Sequence, residues 1–426
     1  MATRTDLLSR LPAELVEQIA QRLETNDICN LRLANTVLAN KSQDIFKTCM
    51  TNKRIKLEPK PVETFCAMMR PGYPGLLLQN LTIVGVAGVR FDQDSGVPET
   101  LARGLQEWQS HSGNSILSSL TLDMVYRKTD GDTPIERELR PDDMAWAAIG
   151  RTFNTTASAL ATSRLPIRKL DLFSNLKTNA LGLNYVAAAT AAYDLSPSLR
   201  HVERLALRVS IRYNARQGEQ RYLLMRFKYS DWDPSLAPQL QADRDGLKTL
   251  VGLCPSVQDL ELQVSQTCFQ DDGCDYARDE RPFSNVVAAL RPGQLRRLVL
   301  GGLRVTETEL LGFVASHPLE YVVFDCVFLH QYLRRPMGRG DAVHPPGQFR
   351  RIFDCLTRDE SPLKRIDMHN LWERYKLVHP PSSSGRQRIE YGLDETQEMS
   401  EDIMARPYRT GREPGRDYDP GHLRKK

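Results

Sequence analysis

The segment Leu295-Arg296-Arg297-Leu298-Val299-Leu300 carries the pattern that repeats through most of the chain: apolar, two residues, apolar, one residue, apolar. Its last step is a strict alternation, the mark of a short strand with one buried face. Eight copies can be read. They are Leu78-Leu81-Ile83, Leu117-Leu120-Leu122, Ile167-Leu170-Leu172, Val202-Leu205-Leu207, Val257-Leu260-Leu262, Leu295-Leu298-Leu300, Leu319-Val322-Phe324 and Leu363-Ile366-Met368. Helical patterns lie between them, over residues 98–109, 144–160, 239–253, 306–316 and 348–356. The run Thr306-Glu307-Thr308-Glu309 ahead of Leu310-Leu311 is a helix-start signal, with a capping hydroxyl and acids placed at the positive end of the helix.

One strand–helix unit cannot bury its own strand face, but a stack of them can. The middle apolar residues of successive copies stand 24 to 55 residues apart. A regular leucine-rich repeat takes about 20–29 residues and carries an Asn or Cys after the third apolar position. Here most copies are longer and that Asn is mostly missing. The pattern therefore predicts an α/β fold built as an irregular, leucine-rich-repeat-like strand–helix solenoid. The competing arrangement is a doubly wound α/β sheet, against which stands the absence of a Gly-rich strand-to-helix turn.

Two insertions account for the longest gaps. Residues 210–237 hold Tyr213, Tyr222, Phe227, Tyr229 and Trp232 among Arg212, Arg216, Arg221, Arg226 and Lys228. Aromatics interleaved with arginine suit protein recognition, so those five aromatics are the candidate substrate-binding residues; a hairpin covering the flank of the array is the alternative. Residues 266–281 hold Asp271, Asp272, Asp275, Asp279 and Glu280. Cys268 and Cys274 flank part of that loop, but their spacing does not suit structural zinc and the acids do not match a calcium loop, so a solvated acidic loop is expected.

Ahead of the repeats the chain is built differently. Leu11-Pro12-Ala13-Glu14-Leu15 opens a helical region in which Leu15, Ile19 and Leu23 recur every four residues as one apolar stripe. Pro12 suits a first helical position. Thr25-Asn26-Asp27 interrupts with cap-type residues, a second helix carries Ile28, Leu31 and Ala34, and Thr36 opens a third with Val37, Leu38, Ile45 and Phe46. A module of about forty-five residues is small for independent stability, so it expects a partner.

The Leu-Pro-x-Glu-Leu opening, Ile19, Leu23, Asp27-Ile28 and Leu31-Arg32-Leu33 together resemble the F-box, the motif that docks a protein onto the Skp-type adaptor of a cullin-RING ubiquitin ligase. The resemblance covers roughly the first tenth of the chain. Many members end the third helix with a Trp, where this chain has Phe46. The wording of the region, with its irregular array, is similar in style to F-box proteins of filamentous fungi. The resemblance implies adaptor binding through Leu11, Pro12, Glu14, Leu15, Ile19, Leu23, Ile28, Leu31 and Leu33, and engagement of a cullin through the adaptor. On that basis residues 1–50 are the F-box, 51–75 a basic linker or helical connection, 76–378 the recognition domain and 379–426 a tail.

Composition sets the remaining bounds. Of 426 residues, 41% are hydrophobic and 26% charged, and the net charge is +4. So small a charge implies no nucleic-acid partner. No run is apolar enough for a membrane span, and the first twenty residues lack a secretory pattern. The eight cysteines include no C-x-x-C pair, which fits reduced thiols in the cytoplasm or nucleus. From His379 onward, nine basic and nine acidic residues sit among Pro, Gly and Ser with few large apolars, so disorder is expected there. No nucleophile elbow, Walker loop, H-E-x-x-H or dinucleotide motif is present, and the histidines form no ligand pair, so no enzyme activity, cofactor or metal is expected. The functional expectation is a substrate receptor of an SCF-type ubiquitin ligase holding a target protein. The alternative is a non-catalytic scaffold, bound to the adaptor without cullin or bearing no adaptor at all.

Overall fold

The computed structural model describes residues 7–23, 25–88, 96–126, 141–176, 179–210, 237–265, 281–330, 348–358, 360–369, 371–373, 376–379 and 392–398. The five aromatics of the first insertion, Tyr213, Tyr222, Phe227, Tyr229 and Trp232, and the acidic insertion lie outside these residues. The fold is mixed α/β. It divides into two compact units that interleave along the chain, one of Met1–Leu172, Ala188–Leu205 and Gly252–Val257, the other of Phe173–Ala187, Ala206–Val251 and Gln258–Lys426.

The first unit begins with four helices, where sequence reasoning expects three. These are α1 (Ala13–Ala20), α2 (Thr25–Ala34), α3 (Thr36–Lys41) and α4 (Gln43–Thr51), preceded by a 3-10 turn at Leu8–Arg10. The expected third helix breaks at Ser42, whose hydroxyl turns back to donate to Leu38 O at 2.7 Å. Pro12 stands at the N-cap of α1 and not at its first turn, and Asn35 caps α3 by accepting from Val37 N at 2.7 Å.

Strand β1 (Asn52–Lys56) follows α4 without a break. The basic run, expected as part of a linker or helical connection, forms an edge strand ahead of the helix at Pro59–Met68. It points Ile55 inward and keeps Arg54 and Lys56 exposed, and charge is how natural sheets protect an edge. Helix α5 (Pro59–Met68) leads to β2 (Asn80–Ala87), α6 (Val97–His111), β3 (Ser119–Tyr126), α7 (Pro141–Ser163) and β4 (Lys169–Leu172). The four strands are parallel, and the repeat pattern is their register: Leu81 pairs with Leu120, Ile83 with Leu122, Leu120 with Leu170 and Leu122 with Leu172. These side chains are buried, with α7 packed on β2 and β3 and α6 packed on α7, and Leu105, Trp108, Ile149 and Phe153 are buried on those helices.

In the second unit, β7 (Asp259–Val264), β8 (Arg297–Gly301), β10 (Tyr321–Asp325) and β12 (Arg365–His369) are parallel and repeat that register, so that Leu260, Leu298, Val322 and Ile366 form one row and Leu262, Leu300, Phe324 and Met368 the next. The row members on β7, β8 and β10 are fully buried, whereas Ile366 and Met368 on the edge strand β12 are half-buried. Strand β5 (Leu181–Gly182) pairs with β6 (Arg204–Ser210). Helices α8 (Leu183–Ala192), α9 (Ser196–Leu199), α10 (Ala237–Gly252), α11 (Arg281–Ala289), α12 (Glu307–Ala315) and α13 (Phe349–Leu356) complete the described helices. Thr306 caps α12 as the helix-start signal predicts, its Oγ1 accepting from Glu309 N at 3.2 Å.

After β8, β10 and β12 the chain turns sharply into β9 (Arg304–Thr306), β11 (Phe328–His330) and β13 (Leu371–Glu373), which form a second sheet extended by β14 (Lys376–His379) and β15 (Gly392–Glu398). Two of these corners use left-handed backbone, at Gly302 (φ 65°) and Cys326 (φ 54°). Strand β15, paired antiparallel with β14, replaces coil with a strand for seven residues of the expected disordered tail; the rest of the tail after His379 lies outside the described residues.

The larger sheet has ten strands in the order β1-β2-β3-β4-β6-β7-β8-β10-β12, with β5 beside β6, and every register described within it is parallel. Chain order and strand order coincide. A doubly wound sheet reverses its order at a switch point, and this sheet has none.

Candidate functional site

Two surfaces stand out. The first is on the N-terminal helices. Val16, Ala20, Ile28, Leu38 and Met50 are buried and form their small core. Leu15 and Ile19 lie on another face of α1 and are 43% and 40% exposed, while Leu23, expected to continue their stripe, falls beyond the end of the helix and is half-buried. Leu33, at the end of α2, is 85% exposed. Leu7, Leu8 and Val37 are also large exposed hydrophobics, so six of the nine in the described chain fall within residues 7–37.

Of the residues that the F-box resemblance nominates, Pro12, Glu14, Leu15, Ile19 and Leu33 are exposed, while Leu11, Leu23 and Leu31 are half-buried. Ile28 is a core residue and unavailable to a partner. The module is held in shape by polar anchors. Lys41 Nζ donates to Ser9 O at 2.9 Å and Leu11 O at 2.5 Å, fixing the segment before α1 against α3. Arg32 donates from Nη1 to Ala39 O at 2.5 Å and from Nη2 to Gln43 Oε1 at 2.7 Å, and its guanidinium lies 4.1 Å from the Phe46 ring centroid. The side chain between Leu31 and Leu33 therefore ties α2 to α3 and α4. Phe46 packs on this arginine.

The second surface is the face of β7, β8, β10 and β12 opposite the apolar rows. Asp259, Arg297, Tyr321 and Arg365 are paired in register across it. Arg297 Nη1 binds Asp259 Oδ1 and Oδ2 at 3.1 and 3.0 Å. The Tyr321 ring lies between two guanidiniums, 5.0 Å from Arg297 Cζ and 5.5 Å from Arg365 Cζ, within cation–π range. Tyr321 Oη donates to Asp367 Oδ2 at 2.9 Å, and Arg365 Nε donates to Asp367 Oδ1 at 3.1 Å. One position earlier, Glu320 pairs with Arg296 at 3.2 Å and with Lys364. The hydrogen bond and charge of Lys364, with those of Arg296, hold the Glu320 carboxyl below its ordinary range. Asp367 is also held below its ordinary range: burial works upward, but Arg365 and the Tyr321 hydroxyl outweigh it.

Sequence reasoning missed this cluster. The signal was available in the intervening positions of the repeat pattern, where Arg297, Tyr321 and Arg365 precede the middle apolar residue of consecutive copies.

Among the described residues no three His, Cys, Asp or Glu side chains gather as metal ligands, and no helix is long and apolar enough to cross a membrane. Burial pushes the Cys254 thiol up to about 12, so it stays protonated and inert. No family model matches the chain, and no curated protein matches it.

Proposed function

We propose that the chain is the substrate receptor of an SCF-type ubiquitin ligase, docking on a Skp-type adaptor through an F-box at its N-terminus. The observation that carries this reading is the exposure of Leu15, Ile19 and Leu33 on helices whose own core is small. Large apolar side chains left in water on a tied-down helical module mark a face meant for a partner. Burial of each would contribute roughly 1.5–3 kcal/mol to the complex before binding costs are set against it.

The stacked strand–helix units are the other half of the reading, an irregular leucine-rich-repeat-like solenoid that would hold a target protein. The agreement of strand order with chain order supports it. In such a receptor the chain performs no bond chemistry. It holds a target lysine near the ubiquitin-charged enzyme, and the rate gain comes from raised effective concentration. A scaffold that uses the same adaptor without a cullin remains the second reading, since the same exposed face serves both.

The test is co-expression with a Skp-type adaptor followed by size-exclusion chromatography. A one-to-one complex is expected from the full chain, lost on Leu15→Asp with Ile19→Asp although the thermal unfolding of the chain is unchanged. A chain that elutes alone, or a complex indifferent to both substitutions, overturns the docking assignment. Co-elution of a cullin separates the ligase from the scaffold.

A further inference from the structure

We propose that the open face at the start of β8, β10 and β12 is the docking point for a carboxylate-rich segment of the target protein, one rich in Asp and Glu. This names a target class for the receptor proposed above and rests on that reading for its biological meaning.

The residues at the first strand position and the one before it are Arg296 and Arg297 on β8, Glu320 and Tyr321 on β10, and Lys364 and Arg365 on β12. Two basic pairs therefore flank a central strand, their strands about 10 Å apart. Four cations face Asp259, Glu320 and Asp367 here, with Glu261 on β7 in the same row as Asp367.

A cluster that served stability alone would match its charges one to one and shelter them. This one does not shelter them: its outer members are open to solvent, Arg296 at 65% and Lys364 at 72% side-chain exposure. Ion pairs so exposed contribute little to stability. The donors are also underused. Arg296 and Arg297 each hydrogen-bond to a carboxylate through one terminal nitrogen among the described residues, and a guanidinium offers five N–H groups in a fork that matches a carboxylate. Tyr321, held between two guanidiniums and by its hydroxyl on Asp367, is a pre-ordered aromatic at the centre of that charge. Tyr and Arg are the residue types on which binding energy concentrates at protein interfaces. An acidic segment crossing β8, β10 and β12 would accept from the spare N–H groups of both basic pairs.

The test uses the full chain, with the adaptor where it co-elutes, and reads fluorescence anisotropy of a labelled short peptide of Asp, Glu, Gly and Ser. A second peptide with Lys in place of the acids and a DNA duplex are the controls. The acidic peptide is expected to bind and to weaken as salt rises. Arg296→Glu with Lys364→Glu should lower its affinity by about tenfold or more, a loss that corresponds to one decade in Kd. Arg296→Gln with Lys364→Gln should give a smaller loss at an unchanged unfolding temperature, and the distant exposed change Arg103→Glu should give none. No binding of the acidic peptide, equal binding of the lysine peptide, tighter binding of the duplex, or indifference to both double variants would each overturn the proposal. Failure of the receptor reading would show separately, as absence of adaptor co-elution, and would leave the anisotropy unaffected.

Discussion

In the parallel strands, Leu81, Leu122, Leu260, Leu298 and Leu300 vanish from solvent, and the polar residues between them face out. In the N-terminal helices the reverse holds for Leu15, Ile19 and Leu33, which stand in water while Ser42 is buried. Both regions are written with the same residue type at a clean period, two for the strands and about four for α1. The difference teaches that period identifies a face, whereas the availability of something to cover it decides whether that face is inside. The inner strands find cover, and only the edge strand β12 leaves its row members half-buried. The module of α1 to α4 is too small to cover two faces and spends its core on Val16, Ala20, Ile28 and Leu38.

The sharpest way to break this contrast is to place the same charge in both regions. Leu298→Asp puts a carboxylate into a fully buried row and should abolish the soluble fold, since an unpaired buried charge costs more than the total stability of most domains. Leu298→Ala, gentler, should destabilise by about 3 kcal/mol. Leu33→Asp should leave the thermal midpoint within a degree or two and remove adaptor binding instead. Urea unfolding followed by circular dichroism, beside the co-elution assay, checks all three. A marked fall in stability from Leu33→Asp would mean that the residue is not in water.

A smaller effect is expected at Gly302, where the chain leaves β8. Its backbone is left-handed, and a Cβ there would overlap Val264 O. Gly302→Ala should therefore destabilise by about 2 kcal/mol from conformation alone, with the steric overlap adding to it. If this corner is as tight as its geometry implies, no compensating substitution of a neighbouring side chain will rescue it, because the obstacle is backbone.

Arg32→Ala probes the helical module. Two charge-assisted hydrogen bonds and one stacking contact are lost, which should loosen the module by roughly 2 kcal/mol while leaving the strands intact. Hydrogen exchange should rise in residues 13–51 and stay unchanged in β2 and β3. Uniformly faster exchange would show that the module and the sheet unfold as one.

Much of the array was legible because its signal is redundant: a motif missed in one copy is found in the next, and the copies are in register wherever their pairing is described. Strand β1 was not legible, since Lys53, Arg54 and Lys56 surround its one inward apolar residue and read as a linker; an edge strand has charge for a reason that sequence alone does not reveal. The break of the third helix at Ser42 was hidden because a serine can pass through a helix or turn back on it, and only the buried hydrogen bond to Leu38 O decides. The Arg297–Tyr321–Arg365 cluster was hidden for another reason. Its members lie 24 and 44 residues apart in sequence and become neighbours only once the register is known.

The subtlest expected effect is on pH, and it again separates the regions, because it belongs to the strand array. His317 follows α12 and is buried, with its ring 4.7 Å from that of Phe313. Its Nδ1 accepts from Leu295 N at 3.3 Å, at the first apolar position of a repeat. Burial holds its pKa below the ordinary value of 6.5. The folded state therefore keeps the neutral ring, in which Nδ1 has a lone pair to offer; protonation would set two donors against each other. Because the unfolded chain binds the proton more readily, the stabilisation is fully present above about pH 6.5 and is lost as the pH falls from there toward the lowered folded value. Carboxylates such as Glu320, whose folded pKa is also lowered, lose their contribution as well, but at more acidic pH. His317→Asn offers an amide oxygen where Nδ1 stood and does not titrate. The loss of stability between pH 8 and pH 5.5, measured by urea unfolding, should therefore be smaller in the variant than in the parent. Equal losses would mean that the imidazole does not hold the turn before β8, and that the backbone there is kept in place by the apolar rows alone.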